Sequence, residues 1–401
     1  MTNMTLSKPL KEMESTDLPA SIVCVGNAWF PATPGGLDRY VYELAYNLSK
    51  RRDVIELCGV GLPESAADFP VTLTNLADPD RSLWQRLRQT RTSYLDSRTR
   101  ESHKRVDAIN LHFALYSLPL MSLFPADVPT TFHFHGPWAL ESDKEGSSKL
   151  GVMVKRWIEQ QVYQRCDRFI VLSKAFGQIL HESYRVPWNK IHVIPGGVNT
   201  DWFQISCDRT QARTQLNWPQ DRFILFTPRR LVHRMGLDNL LLALAEITEA
   251  VPEVWLAIAG KGPLRSQLEA QVERLGLANN VRFLGFLPEA DLPMAYQAAD
   301  LTVMPSQSLE GFGLVLLESL ACGTPAICTP IGGMPEVLSG LSLDLITDTA
   351  DTDSITQTLQ RAIAGEISLP DRASCRSYAV ANFSWPTIAQ RVRDVLLMPV
   401  P

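Results

Sequence analysis

The chain has 401 residues, 45% of them hydrophobic and 20% charged, with a formal net charge of -5. That length predicts two or three domains, and the acidic balance excludes a general nucleic-acid binder. Seven cysteines without a CxxC pair exclude a disulfide framework and a zinc knuckle, and no apolar run is long enough to predict a membrane span.

The first 20 residues are polar and lack the apolar segment of an export signal. They predict a flexible start to a cytoplasmic protein, free or peripheral on the inner membrane face. Buried strands are then predicted at 21–26, 53–60, 107–112, 130–136, 168–173 and 191–197. The first is followed by a helix over 38–51 with Val41, Leu44, Ala45 and Leu48 on one face. A second series begins near Arg222, with strands at 223–229, 254–260, 281–286, 301–306, 326–330 and 343–346. The polar stretch 199–220 separates the two series. A closing helix is expected over 384–397, with Ser384 as cap and Pro386 in its first turn. Alternating strands and helices predict an α/β chain of two doubly wound parallel sheets. Such sheets bind ligands at the carboxyl ends of their strands.

The loop after the first strand, NAWFPATPGGLDRY, puts Gly35 and Gly36 before a helix. Paired glycines admit close approach of a ligand and a helix start favours an anion; a tight turn reads equally well from these residues. The absence of GxGxxG argues against a dinucleotide. His112 ends one strand, and His133 and His135 share one side of the next. His135, last before Gly136, is placed to meet a sugar hydroxyl or developing charge, while His133 fits better as a hydrogen-bonded core imidazole. With Trp138 just beyond, His112 and His133 are the acceptor-side candidates. No metal-ligand set is evident. In the second half, TPRRLVHRMG crowds Arg229, Arg230 and Arg234 into a strand-end loop, and arginine forks match phosphate oxygens. Lys261 lies between Gly260 and Gly262 at the start of another helix.

The segment SLEGFGLVLLESLACGTPAI is the most informative. Glu310 falls in a loop, and Glu318 lies about one and a half turns, roughly 8 Å, inside a helix that Gly323 terminates. Leu314, Leu317 and Leu320 are expected to bury that helix. The N–H groups of Gly311, Phe312, Gly313 and Leu314 offer an anion cradle between two carboxylates. Each carboxylate can accept two hydroxyl donors. A phosphate in the middle and diols at both ends describe a nucleotide sugar.

The run EGFGLVLLESLACGTPAICTPIGGMPEVL resembles the strongest signature of the family 4 glycosyltransferases, the retaining "glycosyl transferases group 1" of GT-B architecture. IPGGVNTDWF, GKGPLRSQLE and FLGFLPEADLPMAYQAADLTVMPS resemble further blocks of that family. The resemblance implies two tandem Rossmann-like domains facing across a cleft: 21–200 on the acceptor side, 201–371 on the nucleotide-sugar side, and helices within 372–401 crossing back. It implies that Glu310 contacts the donor sugar and Glu318 the ribose, with Gly311 to Leu314 beside sugar and diphosphate. Gly36, beside Gly35, would meet the diphosphate from the other domain, with Arg230 on the leaving phosphates, His135 near the sugar and the base near Leu287. His135, Arg230 and Glu310 are the implied catalytic set. The family places a lysine where this chain has Met235; Arg234 or Lys261 is expected to supply that charge.

The implied reaction moves a sugar from a UDP- or GDP-linked donor to a hydroxyl of a lipid, lipid-linked or oligosaccharide acceptor in cell-envelope glycan or glycolipid synthesis. It retains anomeric configuration and uses no metal or other cofactor. The sequence Asp351-Thr352-Asp353 reads as helix capping. The stretch 81–105, from Arg81 to Arg105, carries eight Lys/Arg against two acids, with Trp84, Leu87 and Tyr94 interleaved. It reads equally as an anionic-membrane contact and as a solvated insertion. The helix expected near 149–165 is a second candidate for that membrane contact, with its apolar side read in preference as packing on the sheet. Two rival classes remain: a nucleotide-sugar epimerase of the same architecture, and a non-catalytic nucleotide-sugar-binding protein.

Overall fold

The computed structural model describes residues 18–33, 35–100 and 105–400. The predicted start therefore lies mostly outside the described residues, as do residues 101–104 of the basic stretch.

Seven strands form the first sheet: β1 (Ser21–Ala28), β2 (Val54–Val60), β3 (Thr72–Ala77), β4 (Ala108–Leu111), β5 (Thr130–Phe134), β6 (Arg168–Val171) and β7 (Ile191–Val193). Their order is β3-β2-β1-β4-β5-β6-β7, and every pairing is parallel. Five strands form the second: β8 (Phe223–Pro228), β9 (Val254–Ala259), β10 (Val281–Gly285), β11 (Leu301–Met304) and β12 (Ala326–Cys328). They are ordered β10-β9-β8-β11-β12, again all parallel. Strands such as β4, β6, β9 and β11 are buried at every residue, because helices cover both faces. In each sheet the order reverses once, between β1 and β4 and between β8 and β11. Loops at such reversals diverge to opposite faces and leave a crevice.

Two elements differ from the sequence reading. β3 was not expected, because TLTNLA is a half-exposed edge strand with little apolar signal. Residues 343–346 were expected as a strand. Leu343–Leu345 is a 3-10 turn, and only an isolated bridge joins Ile346 to Cys328. The polar stretch at 199–220 contains a helix, Arg209–Leu216, with a capping box between Asp208 and Gln211. Asp351 caps the helix Thr352–Ile363 by accepting from Ser354 N at 2.9 Å.

Two surface helices also reassign exposed apolar area. On the helix Leu83–Arg100, Tyr94 is buried and Leu87 packs inward, leaving Leu83, Trp84 and Leu95 exposed. Arg86 and Arg91 hydrogen-bond Tyr116 and Pro119, and Arg98 pairs with Glu56. On the helix Lys149–Tyr163, by contrast, Leu150, Met153, Val154 and Trp157 are exposed. That apolar row does not pack on the sheet; Ile158 and Val162 do. Among the described residues, no helix is long and apolar enough to cross a membrane.

The closing helix, Trp385–Leu396, buries Trp385, Ile388, Ala389, Val392 and Leu396 against the first sheet's helix Gly36–Ser49 and its surroundings. This spacing is that of an amphipathic stripe, and each large apolar side chain stabilises by about 1.5–3 kcal/mol. Its Arg393 donates to both carboxylate oxygens of buried Asp53, at 2.8 and 3.0 Å. Arg168 of β6 donates to the carbonyl of Val395 at 3.0 Å.

Candidate active site

The carboxyl ends of β1, β4, β5, β8 and β11 converge on one cavity of about 660 Å³. Gly35 and Gly36 enter from the loop after β1, His112 from β4, His135 and Gly136 from β5, and Trp138 just beyond. From the second sheet come Arg229, Arg230 and Arg234 after β8, and Glu310 to Val315 after β11. Both strand-order reversals therefore open onto the same space.

Glu310 is held by Arg229, whose Nη2 donates to Oε2 at 2.5 Å and also reaches Ser306 Oγ. Burial alone would push the Glu310 carboxyl up, but Arg229, with Arg234 and Ser306 adding to it, holds it below the ordinary carboxylate range. Glu310 is thus an oriented carboxylate, with acceptor capacity left for a ligand. The loop that carries it rests on Gly332 and Gly333. A Cβ on Gly332 would lie 1.7 Å from the Glu310 carbonyl oxygen, and Gly332 also has φ +60. Gly333 N donates to that carbonyl at 3.1 Å.

Leu314–Ala321 is the helix that follows, entered through Gly313 at φ +82 with no side-chain cap. Its first N–H groups face the cavity, which suits an anion. Leu314 is half-buried on the cavity wall, whereas Leu316, Leu317 and Leu320 carry the packing. Glu318 does not line the large cavity. It borders a separate pocket of about 20 Å³ together with Arg39, Glu43 and Asn199. There Arg39, from the first domain's helix, pairs with Glu318 and, at 2.7 Å, with Glu289, while Tyr296 Oη donates to Glu318 at 2.7 Å. Burial pushes the Glu318 carboxyl up, against the pull of Arg39.

The other charges expected to face phosphate are also paired across the cleft. Arg230, half-exposed, lies 3.1 Å from Glu145, and Arg234 lies 3.2 Å from Glu145 and 3.9 Å from Glu141. Lys261 does not border the cavity; its Nζ sits 5.3 Å over the Phe286 ring. Gly262 lies away from the cavity as well. It allows close backbone approach, since a Cβ there would lie 2.3 Å from Leu231 O. Leu287 is half-buried against the core, also outside this cavity. Of Arg234 and Lys261, Arg234 borders the cavity and Lys261 does not.

The three imidazoles lie together, with His112 and His133 stacked at 4.6 Å between centroids. His133 is fully buried and does not reach the cavity, so it is not positioned to touch an acceptor. Burial holds all three below the ordinary histidine range, His135 down to about 3. Among the described residues, no group of three His, Cys, Asp or Glu side chains could hold a metal.

Sequence reasoning missed Arg229 as the partner of Glu310, Arg39 as the partner of Glu318, and the acids Glu141 and Glu145. It also missed Glu159, buried at 1% exposure on the cavity wall. Burial pushes Glu159 up to about 7, although Tyr184 Oη donates to it at 2.7 Å. Among the described residues, its Oε1 has no hydrogen-bond partner. A carboxylate inside the apolar pattern of the helix Lys149–Tyr163 was the available signal.

Two family models match the chain: "Glycosyl transferases group 1" over residues 208–381 and "Glycosyltransferase Family 4" over residues 34–202. A GDP-mannose-dependent alpha-(1-6)-phosphatidylinositol monomannoside mannosyltransferase of Mycolicibacterium smegmatis is 33% identical over 214 residues, 51% of this chain and 55% of that protein. The chain thus spans about half the length of curated relatives it matches. Among solved structures, sucrose-phosphate synthase from Thermosynechococcus elongatus superposes with a TM-score of 0.75 at 21% identity, covering 94% of this chain and 98% of that one. Anabaena HepE in complex with UDP-glucose superposes with a TM-score of 0.73 at 21% identity, covering 94% and 99%.

Proposed function

This chain belongs to the family 4, group 1 glycosyltransferases and has the GT-B fold, and from that premise we propose that it moves a sugar from a nucleoside diphosphate sugar to an acceptor hydroxyl with retention of configuration. The observation that carries this reading is the Arg229-oriented Glu310 carboxylate beside an uncapped helix start, facing Gly35 and Gly36 across one cavity. Glu310 would accept donor-sugar hydroxyls. The N–H groups at Gly313 and Leu314, with Arg230 and Arg234, would stabilise the charge that grows on the leaving diphosphate. His135 would stand beside the sugar, and Glu318 would take the ribose once Arg39 yields it. Substrate phosphate, acting as base for the acceptor hydroxyl, fits a cleft in which the Glu310 carboxylate is already committed to Arg229.

The mannosyltransferase relative acts from GDP-mannose and HepE binds UDP-glucose, so both nucleotides belong in the test. The phosphatidylinositol-linked acceptor named for that relative favours a glycolipid acceptor here. The exposed row Leu150, Met153, Val154 and Trp157, flanked by Lys149 and Arg156, is the face we assign to an anionic membrane, in place of the stretch 81–105. A donor-hydrolysis panel over UDP- and GDP-sugars tests the activity. Glu310→Gln should lower kcat/KM for the accepted donor by about 10- to 100-fold, the worth of one charge-assisted hydrogen bond. A panel in which no donor is turned over, with or without acceptor, would sink the reading. Epimerised donor without transfer would replace it by the epimerase.

A further inference from the structure

One line of hydrogen bonds runs from the core of the first domain to the cavity. Tyr40 Oη lies 3.3 Å from His133 Nε2, and His133 Nδ1 lies 2.8 Å from Asn110 Oδ1. Asn110 Nδ2 lies 3.0 Å from His112 Nε2, and His112 Nδ1 lies 3.0 Å from His135 Nε2. Tyr40, Asn110, His112 and His133 are buried; Tyr40, His112 and His135 border the cavity wall, and Asn110 and His133 do not.

The amide of Asn110 gives this line a direction. Its oxygen only accepts and its nitrogen only donates. His133 must therefore carry its proton on Nδ1, leaving Nε2 bare to accept from the Tyr40 hydroxyl. His112 Nε2 must be bare, so its proton is on Nδ1 and is donated to His135 Nε2. His135 is left with its proton on Nδ1. Turning the amide round would reverse every bond and leave the Tyr40 hydroxyl hydrogen without an acceptor among the described residues. A buried donor without an acceptor is costly, so one direction is selected. The second Asn110 amide hydrogen then has Cys24 Sγ at 4.0 Å.

We propose that Tyr40, His133, Asn110 and His112 are positioning residues that lock His135 as the Nδ1–H tautomer, so that the cleft always presents an N–H donor there to an oxygen of the bound substrate. The ligand class is an acceptor oxygen, a sugar hydroxyl or a phosphate. The depressed basicity of all three imidazoles agrees, since it keeps the line neutral. Among the described residues, His135 Nδ1 has no protein partner, which leaves it available. The proposal rests on the transferase reading only for what His135 donates to; the tautomer itself does not.

The test is 15N NMR of histidine-labelled full-length protein without substrate, together with donor kinetics. Wild-type His135 should show a protonated Nδ1 and a bare Nε2. Asn110→Asp keeps the shape but replaces the amide donor with an acceptor. A His112 that the spectrum shows to be neutral must then donate from Nε2, and His135 must switch to Nε2–H. We expect that switch with a kcat loss of about 10-fold or more and a donor KM changed less than about two-fold, whereas packing damage alone would not move the tautomer. Tyr40→Phe should leave His135 a mixture of both forms. A wild-type His135 protonated on Nε2, or on both nitrogens at pH 7, overturns the proposal, and so does Asn110→Asp losing kcat with His135 unchanged. Should Asn110→Asp fail to fold, the wild-type spectrum decides alone. A protonated Nδ1 in a chain that turns over no donor would sink the transferase reading and leave the tautomer lock standing.

Discussion

At the scale of single residues, the legible signals were chemical oddities. Glu310 and Glu318 stood out because carboxylates seldom sit in apolar runs without a partner. Their partners, Arg229 and Arg39, were not legible, since each comes from a distant point in the chain and Arg229 is adjacent to the arginine that the family pattern favours. Glu159 has a measurable consequence. A buried carboxyl held at about 7 contributes stability below the ordinary carboxyl range and loses it as pH rises through 7. The three depressed histidines act oppositely: their contribution is full above the ordinary value of about 6.5 and is lost as pH falls. Comparing Glu159→Gln with wild type cancels the histidine part. The variant should gain melting temperature at pH 8 relative to pH 5.5. An equal difference at the two pH values would show that Glu159 is not held protonated.

At the scale of elements, strands buried on both faces announced themselves as apolar runs, and the two strand series followed from them. The edge strand β3 did not, because an edge needs only one packed face and TLTNLA alternates weakly. Residues 343–346 failed in the other direction, since Leu343, Asp344 and Leu345 form a turn and only Ile346 bridges a strand residue, Cys328. The glycine pair at Gly332 and Gly333 was legible as a motif, but its role is positional: it lets the Glu310 loop lie directly on the backbone after β12. Gly332→Ala puts a methyl 1.7 Å from a carbonyl oxygen at a positive φ. It should cost at least about 1–3 kcal/mol, read by chemical denaturation, and donor turnover should fall with it. A variant with wild-type stability and turnover would show that the loop is not seated on this pair.

At the scale of the whole molecule, the two-sheet plan was legible from the alternation of elements, but the state of the cleft was not. Nothing in a sequence tells which charges meet when two surfaces close. Across this cleft Arg39 meets Glu318 and Glu289, Arg230 and Arg234 meet Glu145, and Glu336 accepts from Lys174 N and Ala175 N. The two halves thus satisfy one another with groups that the proposed donor would also use. Arg39→Gln should loosen this closure. Calorimetry should find UDP or GDP binding tighter to that variant, with a lower melting temperature in the absence of nucleotide. Weaker binding would mean that Arg39 is itself a ligand contact.

If Glu318 takes the ribose as proposed, the Arg39 guanidinium on it would act as a tethered competitor. Held by its own helix, it is present at an effective concentration on the order of millimolar, so any diol that takes Glu318 does so by exchange. The measured Kd is then the intrinsic one divided by the fraction of molecules whose arginine has let go. Such an exchange discriminates by valence: a ligand offering one hydroxyl must replace an ion pair with a single bond, whereas a vicinal diol returns two. Selectivity for the ribose end would thereby be set by the ion pair that the ligand has to displace.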